Sequence, residues 1–206
     1  MQKSTREFVR LRLRGCAPPS DLSVLLDAFS EDQSFAEDVD NPLWHVGAVL
    51  LWPGQTYPLL DHNYLNDRDR ADPHIMANIA AMNDTADKLR FVLQADRGDL
   101  LGYWQSRDAD PLSECVLFWL DTEGQYRVAE GSTLAQTLAY RALVDGYADR
   151  HEAVVRSFGK LGVAIPEASK GEIFSAMDRR QAQVPETPQD YRDAGYKSYC
   201  KTAGLE

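Results

Sequence analysis

The sequence predicts an α+β domain, with helices first, consecutive strands in the middle and helices again at the end. Two observations carry this. Four short β-patterned runs follow one another at residues 91–95, 100–105, 115–121 and 125–129, with no helical pattern between them. The segments on either side place their apolar residues at helical spacing instead. This grouping differs from the alternating strand–helix rhythm of a parallel sheet.

Taken in order, Ser20 follows Pro18-Pro19 and is placed to cap a helix whose Leu22, Leu25, Leu26 and Phe29 form one stripe. Residues 30–43 are polar and acidic, end in Asn41-Pro42 and read as a loop. Residues 44–52 form an apolar run stopped by Pro53-Gly54, which predicts a buried strand, with a short partner over 56–60. Trp44 and Trp52 lie eight apart and would face the same side of that strand. Residues 61–72, DHNYLNDRDRAD, read as loop. Asp72-Pro73 then opens a helix buried through Ile75, Met76, Ile79 and Met82.

Among the four strands, Asp96-Arg97-Gly98-Asp99 makes the first turn. Thr122-Glu123-Gly124 makes the last, with Gly124 in the left-handed position of a three-residue loop. Ser132 is expected to cap the next helix, whose apolar side includes Leu134, Leu138, Val144 and Tyr147. A helix over 152–161 buries Val154, Val155, Phe158 and Leu161 and stops at Gly162. One more follows over 172–183, before Pro185 and Pro188 open a polar tail read as loosely attached. The expected organisation is an α+β domain over 1–150 and a helical extension over 151–206 packed on it, its tail starting at about 185.

Of the 206 residues, 44% are hydrophobic, enough for a sizeable core. No apolar run approaches the roughly 18 residues of a membrane helix, and the basic N-terminal stretch is followed by no apolar segment of signal-peptide type. Cys16, Cys115 and Cys200 are odd in number and widely spaced, which fits free thiols in a reducing, cytoplasmic setting. The net charge of −10 is unevenly distributed: residues 15–67 hold nine acids and no lysine or arginine. Such a stretch repels phosphate backbones and attracts basic surfaces, so direct nucleic-acid binding is disfavoured. A solvated face that only aids solubility is the plainer alternative.

Residues 91–105, FVLQADRGDLLGYWQ, resemble the central signature of the SUKH superfamily, a strand leading through a Gly/Asp turn into a strand bearing Gly-aromatic. Residues 115–138, CVLFWLDTEGQYRVAEGSTLAQTL, are similar to that family's next hairpin and its capped helix. The resemblance implies a SUKH-like mixed, mainly antiparallel, bent sheet with helices packed on it. Known members include immunity proteins against polymorphic toxins and a fungal cell-wall regulator. Residues 30–60 read as an elaboration of that plan.

The motifs GxSxG, GxxxxGK[ST], HExxH and GxGxxG are absent. The four histidines, His45, His62, His74 and His151, are scattered; His45 reads as a satisfied residue of the apolar strand. Asp61, His62, Asp67, Asp69, Asp72 and His74 gather metal-ligand types in one stretch, but without calcium-loop spacing and with Arg68 and Arg70 among them.

The favoured expectation is therefore an immunity protein that neutralises a cognate, basic toxin by binding it. It has no catalytic residue, metal, cofactor, nucleic-acid or membrane partner. A regulatory scaffold of the same fold is the first alternative, and a metal-dependent enzyme using residues 61–74 the second. The expected partner contacts are Asp32, Glu37, Asp38 and Asp40 as rim charges and Trp44 as anchor, with Trp104 and Glu123 on the hairpins as further candidates.

Overall fold

A computed structural model describes residues 4–54, 62 and 64–205. The expected strand over 56–60, and Asp61, lie outside the described residues. Among those described, the chain forms eight α-helices and a five-stranded sheet. Helices α1 (Thr5–Leu11) and α2 (Ser20–Glu31) come first, followed by short strand β1 (Val49–Leu50) and helices α3 (Asp67–Ala71) and α4 (Pro73–Lys88). Strands β2 (Leu89–Gln94), β3 (Leu100–Trp104), β4 (Val116–Leu120) and β5 (Tyr126–Val128) form the middle. Helices α5 (Leu134–Val144), α6 (Ala148–Lys160), α7 (Lys170–Gln183) and α8 (Pro188–Thr202) close the chain.

The α+β expectation is met. The strands lie in sequence order β1-β2-β3-β4-β5, and each neighbouring pair is antiparallel. The two predicted turns form as expected, with Gly98 and Gly124 both at positive φ. Gly124 N–H bonds to the Asp121 carbonyl at 3.0 Å, closing the three-residue loop.

Strands such as LLGYW and VLFWL are apolar on both faces because helices cover both faces. Leu101, Tyr103, Leu117 and Trp119 point into a large core shared with α2, α5 and α6. Leu100, Trp104, Phe118 and Leu120 point into a smaller core on the other face, against Met177 and Tyr191. A register shift between Phe91 and Leu93 lets adjacent residues Val92 and Leu93 both serve the larger core.

The predicted stripe Leu22, Leu25, Leu26 and Phe29 is buried. Asp72 caps α4 as expected, accepting from His74 N and Ile75 N at 2.8 and 3.3 Å. Its inward face is shifted, however: Ile79 and Met82 are buried with Ala77, Ala81 and Thr85, while Met76 is exposed. Helix α5 starts one residue later than expected. Thr133 accepts from Gln136 N, and Ser132 instead donates its hydroxyl to Gln136 Oε1 at 2.8 Å. Tyr147 belongs to the link after α5 and is exposed.

Two expectations are corrected. The run 44–52 is not one strand: residues 44–46 form a 3-10 turn, Gly47 is left-handed at φ +60°, and only Val49–Leu50 pairs with β2. A left-handed glycine inside the run breaks strand periodicity, so Trp44 and Trp52 do not share a face. The region after 185 is not a loose polar tail but helix α8, capped by a reciprocal Thr187–Asp190 box. It docks on α4, with Gly195 facing Ala81. Arg192 also donates to the Gly124 carbonyl, and Tyr199 donates to Asp84 at 2.6 Å. No helix among the described residues is long and apolar enough to cross a membrane.

Candidate partner-binding site

The predicted rim acids lie at the N-cap of a 3-10 turn, residues 33–37, on the turn itself and on the loop after it, between α2 and the turn at 44–46. Each short polar side chain here fixes local backbone. Asp32 Oδ1 accepts from Ser34 N and Oγ at 2.8 and 2.7 Å, and these bonds hold its carboxyl below the usual aspartate range. Asp38 accepts from Asp40 N at 2.8 Å. Asn41 donates to the Ala36 carbonyl and accepts from Leu43 N, tying the loop to the turn that carries Trp44. Asp32, Glu37 and Asp38 are exposed, as expected of rim charges. Asp40 is not a free charge: Lys160 at the end of α6 bonds to it at 2.5 Å. The stretch without bases in sequence acquires a base through folding.

Trp44 is 57% exposed, its ring edge-on to His45 with centroids 5.5 Å apart. It stands over a recess of about 430 Å³ whose walls include Phe29, Ala36, Asn41, Val49 and Trp52. Trp52 is buried and packs edge-on to Phe8 at 5.3 Å and to Phe29 at 6.1 Å, so the floor belongs to the core. Val39 and Val49, 66% and 54% exposed, add apolar surface to the same region of the chain. Val39 had a weak signal in sequence, a lone apolar residue between acids in EDVDNP. The recess itself had none, because it forms only when the end of α2, the loop at 36–41 and the run 44–52 fold onto one another.

Gly47 positions Trp44. It needs the left-handed conformation, and a Cβ there would lie 2.9 Å from the Asp96 Cβ, so the turn packs directly on the β2–β3 hairpin. His45 is half-buried on this turn, not in a strand, and its Nε2 meets Ser157 Oγ at 3.3 Å.

The remaining candidates lie elsewhere. Trp104 is a correction: it is 4% exposed, donates its indole N–H to the Glu186 carbonyl at 2.8 Å and stacks edge-on with Tyr191. With both faces of the sheet covered, a strand aromatic there is core. Glu123 is exposed on the β4–β5 turn, where its N–H bonds to Asp121 Oδ1 at 3.0 Å. It does not join the Trp44 recess.

The described His and Asp residues between 62 and 74 do not converge as a ligand set. Asp69 and Asp72 spend oxygens capping α3 and α4. His62 Nε2 bonds to Asn83 Oδ1 at 2.7 Å, and His74 Nδ1 to the Tyr196 hydroxyl at 3.2 Å. No group of three or more His, Cys, Asp or Glu side chains among the described residues is arranged to hold a metal ion. Burial raises the Cys115 thiol to about 11, so it is a poor nucleophile at neutral pH.

Comparison with models of protein families, with curated proteins and with solved structures finds no match to this chain.

Proposed function

We propose that this protein acts by binding another protein, and that its partner presents a basic, partly apolar surface to the acidic loop and recess around Trp44. The observation that carries this reading is a tryptophan more than half exposed over an apolar recess, with Asp32, Glu37 and Asp38 beside it on the chain. Exposed tryptophan is costly in water and is among the residue types most enriched at binding hot spots. A charged rim adds encounter rate and selectivity, where the apolar anchor adds lifetime.

Within that class, the resemblance of residues 91–138 to the SUKH superfamily favours an immunity protein that occupies a cognate toxin in the cytoplasm. Toxins that attack nucleic acids carry basic clefts, which the acidic loop complements. A regulatory scaffold would use the same groove on a housekeeping partner. Genomic position separates the two, because an immunity gene lies immediately downstream of its toxin gene.

The test is co-expression with the product of the adjacent upstream gene. Protection of growth, a stable complex whose association slows with salt, and loss of both on Trp44→Ala are expected. Absence of protection and of binding would overturn the immunity reading. Binding indifferent to Trp44→Ala would overturn the site.

A further inference from the structure

Beside the Trp44 turn, meeting the apolar recess at Ala48, lies a second cavity of about 150 Å³ whose lining is charged instead. Three arginines reach it from three elements: Arg97 from the β2–β3 turn, Arg141 from α5 and Arg150 from α6. In a chain with a net charge of −10 this gathering runs against the composition. The Arg141 guanidinium carbon sits over the Trp119 ring, 4.0 Å from its centroid, and its Nη2 donates to Asp99 at 2.8 Å. Its Nη1 is buried and has no hydrogen-bond partner. A buried guanidinium N–H left unsatisfied is costly, and an acceptor brought into the cavity relieves it.

The carboxylates nearby do not fill that role. Asp99 is committed to Arg141, and Asp145 reaches only its Nε, at 4.0 Å. Among the described residues neither Arg97 nor Arg150 makes an ion pair; Arg150 instead covers the exposed Tyr147 ring at 4.4 Å. Asp96 is the remaining acid on the wall. The rest of the lining includes Leu138 and Ala142, which lower the local dielectric and strengthen any charge interaction inside. Trp119 is held in place for Arg141 by its own bond to the buried Glu130 at 2.8 Å.

We propose that this cavity binds the phosphate or carboxylate group of a small molecule, with Arg141 as the fixed floor donor and Arg97 and Arg150 closing on the anion from the rim. The volume suits one such group with a short substituent. Arginine is the residue of choice for both oxyanions because its planar fork donates two parallel hydrogen bonds. The site is independent of the protein partner proposed above, since no residue of the acidic rim lines it.

Calorimetric titration of the full chain with inorganic phosphate, and separately with succinate, tests this against sodium chloride at equal ionic strength. Saturable binding of at least one of the two is expected, together with a raised thermal midpoint. Arg97→Gln and Arg150→Gln sit on exposed positions and should fold normally, yet each weaken binding roughly fivefold or more. Arg141→Gln should abolish it; if that variant fails to fold, the two rim variants decide. Preference for phosphate or for succinate assigns the source of the anion. No saturable binding of either, or binding untouched by both rim variants, would overturn the site.

Discussion

Replacing Trp44 and Trp104 by alanine, one at a time, should separate a binding residue from a core residue that the sequence alone groups together. A tryptophan presents roughly 250 Å². With 57% exposure, roughly 140 Å² of Trp44 is still open to a partner. At about 25 cal/mol per Å² that area is worth at most about 3.5 kcal/mol on binding, consistent with a hot spot of about 2 kcal/mol or more. The same exposure leaves little for folding to lose, so Trp44→Ala should cost stability about 1 kcal/mol or less. Trp104 reverses both figures. It is 4% exposed, anchors the Glu186 carbonyl ahead of α8 and stacks on Tyr191, so its truncation should cost about 3–5 kcal/mol of stability. Urea denaturation supplies the stabilities, and surface-plasmon titration of the proposed protein partner supplies the affinities. Similar stability losses in the two variants, or a change in affinity below about threefold for Trp44→Ala, would refute the assignment of Trp44 to the surface.

Neutralising the rim as Asp32→Asn, Glu37→Gln and Asp38→Asn keeps an acceptor at each position, including those for Ser34 and Asp40; stopped-flow binding should show slower association with a flatter salt dependence and little change in dissociation. Gly47→Ala forces a left-handed alanine against the Asp96 Cβ and should lower stability by about 1–3 kcal/mol by urea denaturation, with weaker partner binding as Trp44 shifts. The carboxyls of Asp32, Glu172 and Asp190 are held below the ordinary carboxylate range by hydrogen bonds from the side chains and backbone N–H groups of Ser34, Ser169 and Thr187. Their contribution is present above the unfolded values and is lost as pH falls through the lower folded ones, so the urea midpoint should be insensitive to these groups at neutral pH and should fall below about pH 4.

The sequence revealed the sheet for a physical reason: its strands are short, apolar and punctuated by glycine turns that only left-handed residues can make. Gly98 and Gly124 both take positive φ. Helix stripes such as Leu22–Phe29 were equally legible, because burial there follows from spacing alone. Residues 44–52 were misread because an unbroken apolar run carries no period; the deciding residue was Gly47, which turns the chain for a contact with Asp96 distant in sequence. Helix α8 was missed because much of its docking is polar. The bonds from Tyr199 to Asp84, from Arg192 to the Gly124 carbonyl and from Tyr126 N to Gln189 Oε1 leave little apolar pattern to find. At the site, exposure does not follow from residue type: Trp44 and Trp104 are both candidates by sequence, and only the covering of both sheet faces distinguishes them.

Charge illustrates the same limit and gives the molecule its polarity. Along the chain, acids cluster at 15–67 and the arginines of the second cavity are dispersed at 97, 141 and 150. Folding brings those arginines to one wall and gives the acidic loop a lysine, through Asp40–Lys160. The turn at 44–47 lies between the two environments, with Ala48 on the wall of both. An anion bound on the arginine side therefore lies against the element that holds Trp44. If the two sites communicate, phosphate at saturation should change the partner's dissociation rate in the parent but not in Arg150→Gln. Equal dissociation with and without phosphate, in a protein that binds phosphate, would establish the turn as a rigid partition instead.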